Sequence, residues 1–247
     1  MIHYHGTPIG GPSDFAARIL KGRHAFVSFA GASQIRLVAQ QCSTFALDNG
    51  AFTYWRNKQK KIKWSEYFQF VDEWQRHPGF DFAIIPDDIA DGTEEANDKL
   101  IKEWPFQNGV PVWHLHESLD KLGRLAEDYE MVALGSSGDY SRVGDSFWWP
   151  RISEAMERIT VEGQPITKLH GLRMLDPDIY TKIPLHSADS TNAARNVTNH
   201  DRWKGSYAPA SMEVRASVLI DRIEFFNSAQ TWNPRNVQMS LFQTEGL

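Results

Sequence analysis

Two kinds of apolar pattern alternate along this chain. Short apolar runs bounded by turn residues, typical of strands, are separated by stretches with the apolar spacing of helices. The predicted strands are Met1–His5, His24–Phe29, Thr44–Asp48, Phe82–Pro86, Val110–Leu115, Met131–Gly135, Lys168–Arg173 and Leu185–Asp189. The predicted helices are Ser13–Lys21, Ser33–Gln40, Trp64–Arg76, Thr93–Glu103, Leu119–Asp128, Trp149–Thr160 and Pro177–Lys182.

Strands that alternate with helices predict a parallel sheet. Eight strands in 247 residues favour closure into a single (β/α)8 TIM-type barrel over an open doubly wound sheet. The amphipathic stretch Pro209–Ser228 predicts a closing C-terminal helix. We therefore expect one catalytic barrel domain over residues 1–230 and a short C-terminal tail over residues 231–247.

The composition excludes several classes of protein. Lys and Arg number 26 against 31 Asp and Glu, so the net charge of -5 excludes the global basic field of a non-specific nucleic-acid binder. The only cysteine, Cys42, excludes an internal disulfide and a Cys-rich zinc site, and is expected to be a small buried residue. With no apolar run near bilayer length and a polar amino terminus, we expect a cytoplasmic protein.

An acidic set is the first candidate site. Asp48, Asp87, Asp88 and Asp189 each lie at the carboxyl end of a predicted strand, and those ends form the catalytic face of a barrel. Carboxylates gathered there repel one another and lose water, which separates their pKa values and suits one as nucleophile and another for proton transfer. The alternative is that Asp48 and Asp189 only cap the following loops or helices.

Histidines form a second candidate site. His3 with His5, and His114 with His116, are pairs two residues apart, and such a pair at a strand end can offer two imidazoles to one metal ion. His170 and His186 could add further ligands. A metal-dependent barrel hydrolase is therefore an alternative interpretation, whereas the acidic set requires no catalytic metal or other cofactor.

A basic segment with neighbouring aromatic residues is the third candidate. Its cations are Arg56, Lys58, Lys60, Lys61 and Lys63, and Tyr54 and Trp55 precede them. Such a loop could hold a phosphate backbone while the rings stack on bases, or it could be an ordinary solvated loop. Trp148 and Trp149 could likewise form a stacking platform or belong to the packing of the barrel.

Four of these segments together resemble the tRNA-guanine transglycosylase family, in particular its phage and bacterial relatives that place 7-deazaguanine bases into DNA. The segment Leu47–Phe52 is similar to the Asp-Ser-Gly-Gly-Phe segment of that family after its third strand. Pro86–Asp88 lies where the family has a base-recognising Asp, and Ala133–Ser136 resembles its Ala-Leu-Gly-Gly turn. Asp189 falls at the end of the eighth strand, where the family carries its nucleophile.

The resemblance implies a glycosyl transfer by a ping-pong mechanism. Asp189 would attack C1′ of a flipped-out guanosine and form a covalent intermediate, while Asp48 assists with proton movement. Asp87 or Asp88 would accept hydrogen bonds from the bound base, and backbone groups near Gly135 would meet its carbonyl oxygen. The substrate-binding residues expected on this basis are Phe52, Asp87, Asp88, His116, Gly135, Ser136 and His170.

The chain also departs from that family. The structural zinc site of the family uses three cysteines and a histidine, which a chain with only Cys42 cannot build. The glutamine that contacts the base after the fifth strand has no counterpart, because Trp113, His114 or His116 occupies that region. These departures argue against tRNA binding by the zinc-containing extension of that family, and the clamp-like motif in the tail favours DNA over tRNA.

The tail contains one further motif. Gln238–Phe242 is similar to the pentapeptide with which bacterial proteins bind the DNA sliding clamp, and an exposed Leu-Phe pair is unusual unless a partner buries it. The alternative is that Leu241 and Phe242 fold back onto the barrel. A third interpretation of the whole chain is a non-catalytic base-binding module that recruits a partner through this tail.

Overall fold

The computed structural model describes residues 1–11, 13–56, 62–89, 92–191 and 208–235. It is a mixed α/β structure with two compact units. The first unit comprises Ile2–Gly109 and Asp189–Phe225, and the second comprises Met1, Val110–Ala188 and the described residues from Phe226 onward.

The described strands and helices follow the predicted alternation. The strands are β1 (Ile2–Thr7), β2 (His24–Ser28), β3 (Thr44–Asp48), β4 (Phe80–Ile84), β5 (Gly109–Val110), β6 (Val112–His114), β7 (Met131–Gly135), β8 (Thr160–Val161), β9 (Gln164–Pro165), β10 (Lys168–Gly171) and β11 (Ser187–Ser190). The α-helices are α1 (Ser13–Leu20), α2 (Ile35–Gln41), α3 (Ala51–Arg56), α4 (Trp64–Trp74), α5 (Glu94–Lys102), α6 (Leu119–Asp128), α7 (Trp148–Ile159), α8 (Pro177–Tyr180) and α9 (Met212–Glu224). Short 3-10 turns cover Phe29–Gln34 and Gly138–Tyr140.

In the first unit the strands are hydrogen-bonded in the order β4-β3-β2-β1, with parallel registers. Helices α1, α2, α4 and α9 cover them with apolar side chains. Ile19 and Leu20 of α1, Tyr67 of α4 and Ile220 of α9 all belong to one buried cluster with the strands. Burial of this apolar surface is what holds the carboxyl ends of β3 and β4 at one edge.

The sheet order continues as β11-β10-β7-β6, again with parallel registers. Strand β11 begins in the second unit, and its last two residues, Asp189 and Ser190, belong to the first. Helix α7 packs its apolar side against the second unit, and Trp148 and Trp149 are 0% and 3% exposed. Their rings lie in the packed interior, so the prediction that they form a base-stacking platform is wrong and the packing alternative is confirmed.

Helix boundaries follow local capping chemistry. Thr93, Ser118 and Ser211 precede α5, α6 and α9, and each side-chain oxygen accepts a hydrogen bond from a backbone N–H in the first turn. Such caps satisfy donors that have no partner within the helix. They explain why three predicted helices begin within three residues of their expected positions.

Several boundaries were predicted correctly and several elements were missed. Strands Thr44–Asp48 and Met131–Gly135 are confirmed to the residue. The predicted strand Val110–Leu115 is divided into β5 and β6 at Pro111, which has no N–H to donate to a neighbour. The antiparallel pair β8 and β9 was not predicted; Glu162 and Gly163 at its turn have φ values of 52° and 80°, as a tight two-residue hairpin requires.

Strand β5 adds to the eight strands β4-β3-β2-β1 and β11-β10-β7-β6 as the neighbour of β4, so the sheet has nine strands among the described residues, whereas eight were expected; β8 and β9 form a separate pair. Mixed α/β architecture with parallel strands is shown. Closure of an eight-unit barrel stays a prediction. Within the described ranges, no helix combines the length and apolarity that crossing a bilayer requires.

Candidate active site at the carboxyl ends of β3 and β4

Asp48 is the last residue of β3 and lies at an edge built by strand register. Ser28, at the end of β2, is its direct partner across the parallel pair. The backbone N–H of Gly50 donates a hydrogen bond to Asp48 Oδ2 at 3.2 Å. The chain turns sharply at this point, and α3 begins at Ala51.

Gly50 is required at this turn for two reasons. Its φ of +80° lies in the left-handed region, which a side chain disfavours. A Cβ at this position would also lie 2.9 Å from Ala30 N and 3.0 Å from Ala30 Cβ. The glycine thus lets the chain leave β3 in close contact with the neighbouring loop and keeps Asp48 at the edge.

The surroundings of Asp48 raise its pKa to about 7, and burial is the largest cause. The carboxylates of Asp189 and Asp87 raise it further by repulsion, while Ser28 and the Gly50 N–H lower it. The Ser28 hydroxyl opposes this rise more than the Gly50 N–H does, although its oxygen meets the geometric criteria of a hydrogen bond with no described residue. At neutral pH Asp48 is therefore able both to give and to take a proton.

Asn49 holds Asp87 in place. Asn49 is 2% exposed, and its Nδ2 donates to Asp87 Oδ1 at 2.5 Å and to the carbonyl of Ile85 at 3.0 Å. Its Oδ1 accepts from Ala51 N at 2.9 Å. Every polar atom of this side chain is used, so the turn after β3 and the loop after β4 form one rigid arrangement. Asn49 lies within the segment Leu47–Phe52, but no local sequence pattern predicts its role.

Asp87 and Asp88 differ in their surroundings. Asp87 is 6% exposed, and its charge raises the pKa of both Asp48 and Tyr67. Asp88 is more exposed, and its backbone N–H donates to Asn97 Oδ1 at 2.8 Å. Of the two carboxylates, Asp87 is the one that shares the electrostatic environment of Asp48.

Tyr67 is a further buried residue on which these carboxylates act. It is fully buried on α4, and its hydroxyl donates to the carbonyl of Ile84 at 2.8 Å. Burial and the charges of Asp48 and Asp87 raise the pKa of its phenol well above the ordinary value, which keeps it neutral. The sequence did not predict a role for Tyr67, because α4 contacts β4 only in the tertiary fold.

Asp189 completes the group within the first unit. It lies on β11, is 7% exposed, and raises the pKa of Asp48. The next residues, Ser190 and Thr191, lie so close to β1 that a Cβ on Gly6 would be 2.7 Å from Thr191 Cγ2. The structure therefore brings three predicted site residues, Asp48, Asp87 and Asp189, into one electrostatic neighbourhood.

The basic segment begins on a helix, which corrects the prediction of a loop. Arg56 is the last residue of α3, and its guanidinium lies 6.0 Å from the ring centre of Phe52. Lys63 pairs with Glu66 at 3.3 Å on an exposed surface. Lys58, Lys60 and Lys61 lie outside the described residues.

The predicted base-contact turn after β7 belongs to the second unit and is occupied by internal contacts. A Cβ on Gly135 would lie 2.8 Å from His114 Nδ1. Ser136 Oγ accepts a hydrogen bond from Trp148 Nε1 at 2.8 Å, and the carbonyl of Ser136 accepts one from Arg173. Packing thus accounts for the small residues Gly135 and Ser136, and their predicted contact with a base stays a prediction.

The histidines are distributed over both units. His114 and His116 stack with ring centres 5.5 Å apart, and Ser137 Oγ lies 3.0 Å from His116 Nδ1 and 3.4 Å from His114 Nδ1. His170 Nδ1 contacts Ser187 Oγ at 2.8 Å. In the first unit, His5 Nε2 lies 2.8 Å from Glu224 Oε1.

These contacts do not form a metal centre. Among the described residues, no group of three or more His, Cys, Asp or Glu side chains is arranged to hold a metal ion. The predicted convergence of the histidine pairs on one ion is therefore absent from this part of the chain, and the hydrolase alternative gains no geometric support.

A cavity of about 530 Å³ in the second unit contains none of the predicted catalytic or substrate-binding residues, although His186, a candidate metal ligand, lines it. Its lining includes Glu130, Ile166, Lys168 and His186, near the amino ends of β10 and β11.

The predicted clamp-binding peptide Gln238–Phe242 lies outside the described residues. No protein-family model matches the chain, and no curated protein or solved structure matches it significantly.

Proposed function

We propose that this chain is a base-exchange transglycosylase, which replaces guanine in DNA (or, as the alternative polymer, RNA) by a 7-deazaguanine derivative through a covalent aspartyl intermediate. The observation that carries the proposal is the group Asp48, Asp87 and Asp189, in which burial and repulsion raise the pKa of Asp48 to about 7. The resemblance to guanine transglycosylases assigns the roles, and we take the (β/α)8 barrel expected from the sequence as the scaffold.

The first half of the reaction removes guanine. The Asp189 carboxylate attacks C1′ of a flipped-out guanosine, the C1′–N9 bond breaks, and its electron pair leaves with guanine. Protonated Asp48 gives its proton to the departing base. A carboxyl group with a pKa near 7 is partly protonated at neutral pH, so it suits this step.

The second half installs the new base. The ring N–H at the attacking position of the incoming deazapurine gives its proton to the Asp48 carboxylate, and that nitrogen forms a bond to C1′. The bond from C1′ to Asp189 breaks, and the carboxylate is restored. Asp48 thus returns to its protonated form, and no oxidant or net proton is needed.

Asp87 is the residue we assign to base recognition. Asn49 occupies Asp87 Oδ1 and fixes the orientation of the carboxylate. A fixed acceptor matches the adjacent N1–H and exocyclic amine of guanine, both of which are donors. Asp88 has no contact with the base in this proposal. Its backbone N–H binds Asn97 and so helps to fix the loop that carries Asp87.

The experiment is a mass-spectrometric search for the covalent intermediate. Guanine-containing DNA or tRNA is incubated with the protein and 9-deazaguanine, which has carbon in place of the attacking nitrogen. We expect an adduct on the wild type and on the control Asp128→Asn, whose carboxylate is exposed on α6, and none on Asp189→Asn.

An adduct with only one polymer would identify the substrate class. Absence of any adduct with both polymers would overturn the proposal. Base binding without exchange would then favour a non-catalytic module, and stoichiometric bound metal would favour the hydrolase.

A further inference from the structure

The outward side of α3 presents aromatic and cationic groups together. Phe52, Trp55 and Arg56 are spaced three and four residues apart, so they share one face of the helix. The ring centres of Phe52 and Trp55 are 5.7 Å apart, and Arg56 lies 6.0 Å from the Phe52 ring. Trp55 is 47% exposed, which is unusual for the largest apolar side chain.

The helix is attached directly to the candidate site. The N–H groups of Thr53 and Tyr54 donate to the carbonyl of Gly50 at 3.0 and 3.2 Å. Gly50 in turn donates to Asp48. The exposed face of α3 therefore follows closely along the sequence after Asp48, the carboxylate that we assign to proton transfer.

Charge identifies the kind of partner. Five cations and no acidic residue lie between Asp48 and Glu66, although the whole chain has a net charge of -5. Lys63 pairs with Glu66, and the remaining local excess of positive charge attracts a polyanion to this segment. The positive charges alone could bind an acidic peptide. The exposed Trp55 next to Arg56 also offers a surface on which a base can stack, which favours a nucleic acid.

We propose that the face formed by Phe52, Trp55 and Arg56 is a platform for an unpaired nucleic-acid strand next to the flipped-out nucleotide. An unstacked base lies on the Trp55 ring, Phe52 supports the ring from the helix side, and Arg56 pairs with a phosphate. This inference rests on the proposed function, because it takes its polymer from that reaction.

The test measures binding of a fluorescent oligo(dT) and oligo(rU) of about 16 nucleotides by anisotropy at several salt concentrations. Neither oligomer contains guanine, so binding is measured without base exchange. We expect Trp55→Ala to weaken binding about 10-fold or more, because the variant lacks the ring on which one base would stack. Trp55→Phe should retain most of the affinity, and the two sugars distinguish DNA from RNA.

Two control variants separate a local from a general effect. Phe147→Ala removes a ring that is 74% exposed in the second unit and should leave affinity unchanged. Arg56→Ala should reduce the slope of log affinity against log salt by about 0.7, as expected for one lost phosphate contact on a single strand, and Lys21→Ala should not. Thermal unfolding of each variant shows whether it folds.

The outcomes separate this inference from the proposed function. Loss of oligo(dT) binding in folded Trp55→Ala supports the platform even if no covalent intermediate is ever found. Equal binding by wild type and folded Trp55→Ala overturns the platform even if exchange is active. Binding that depends on Arg56 but not on Trp55 also overturns it, because charge alone would then explain the attraction.

Discussion

Two turns in this protein follow parallel strands and contain a left-handed glycine, yet their polar groups are used differently. In the first unit, the turn after β3 gathers Asp48 and Asp87 around Asn49, and the pKa of Asp48 rises to about 7. In the second unit, the turn after β7 uses Ser136 and Ser137 to bind Trp148, Arg173 and the stacked histidines. In the first turn, neighbouring carboxylates still repel one another. In the second turn, the oxygens of Ser136 accept hydrogen bonds from neutral and cationic donors.

The difference shows how to tell a chemical site from a structural turn. A turn whose polar groups mainly stabilise their neighbours contributes to folding. A group of repelling carboxylates costs stability, and such a cost is typical of functional sites. If the Asp48 group costs no stability, this distinction between the two turns fails.

The largest expected effect is on activity. Asp48→Asn removes the proton donor and should lower exchange about 100- to 10,000-fold. In the wild type, kcat/KM for the polymer should fall as pH rises through about 7, because the first half of the reaction needs protonated Asp48. Steady-state exchange measured between pH 5.5 and 9 checks both, and a rate that is flat across that range would contradict the assignment.

The second effect is on stability: the substitution that lowers activity should raise the free energy of unfolding. The folded-state pKa of Asp48 lies above its unfolded value, so its contribution to stability is present below about pH 4 and is lost as pH rises through about 7. Asp48→Asn should therefore raise the free energy of unfolding at pH 8 by about 2–4 kcal/mol, and much less at pH 4. Urea unfolding at both pH values measures this. If the free energy of unfolding changes equally at both pH values, ionisation of the buried Asp48 carboxyl is not the cause.

The smallest effect compares the two glycines directly. Gly50→Ala meets both a left-handed φ and the backbone of Ala30 at 2.9 Å, whereas Gly138→Ala meets a φ of +56° and no atom within 4 Å. We expect Gly50→Ala to destabilise the protein by about 1–3 kcal/mol more than Gly138→Ala. Equal midpoints of chemical unfolding would show that the turn after β3 relaxes as freely as the other.

The sequence predicted much of the fold because apolar periodicity is a local signal. Thr44–Asp48 and Met131–Gly135 were correct to the residue, since each run ends at a turn residue. Helix α3 was missed because its aromatic residues follow Gly50 and precede a basic run, which together are typical of a loop. The hairpin at Glu162 was missed because its strands are only two residues long.

The candidate site was predictable in its carboxylates but not in their support. Asp48, Asp87 and Asp189 were selected because they end predicted strands, and the structure places their charges together. The roles of Asn49 and Tyr67 depend on contacts between residues more than 15 positions apart, which no local pattern reveals. The assignment of Asp87 over Asp88 likewise required the fold.

The thiol of Cys42 has a practical consequence for these experiments. It is partly buried against the core of the first unit, and burial raises its pKa to about 12. At pH 7.5 only about one in 30,000 of such thiols is ionised, against about one in ten for an exposed cysteine. A cysteine introduced at an exposed position, such as Phe147→Cys, would therefore accept a maleimide dye selectively, and the native residue need not be removed first.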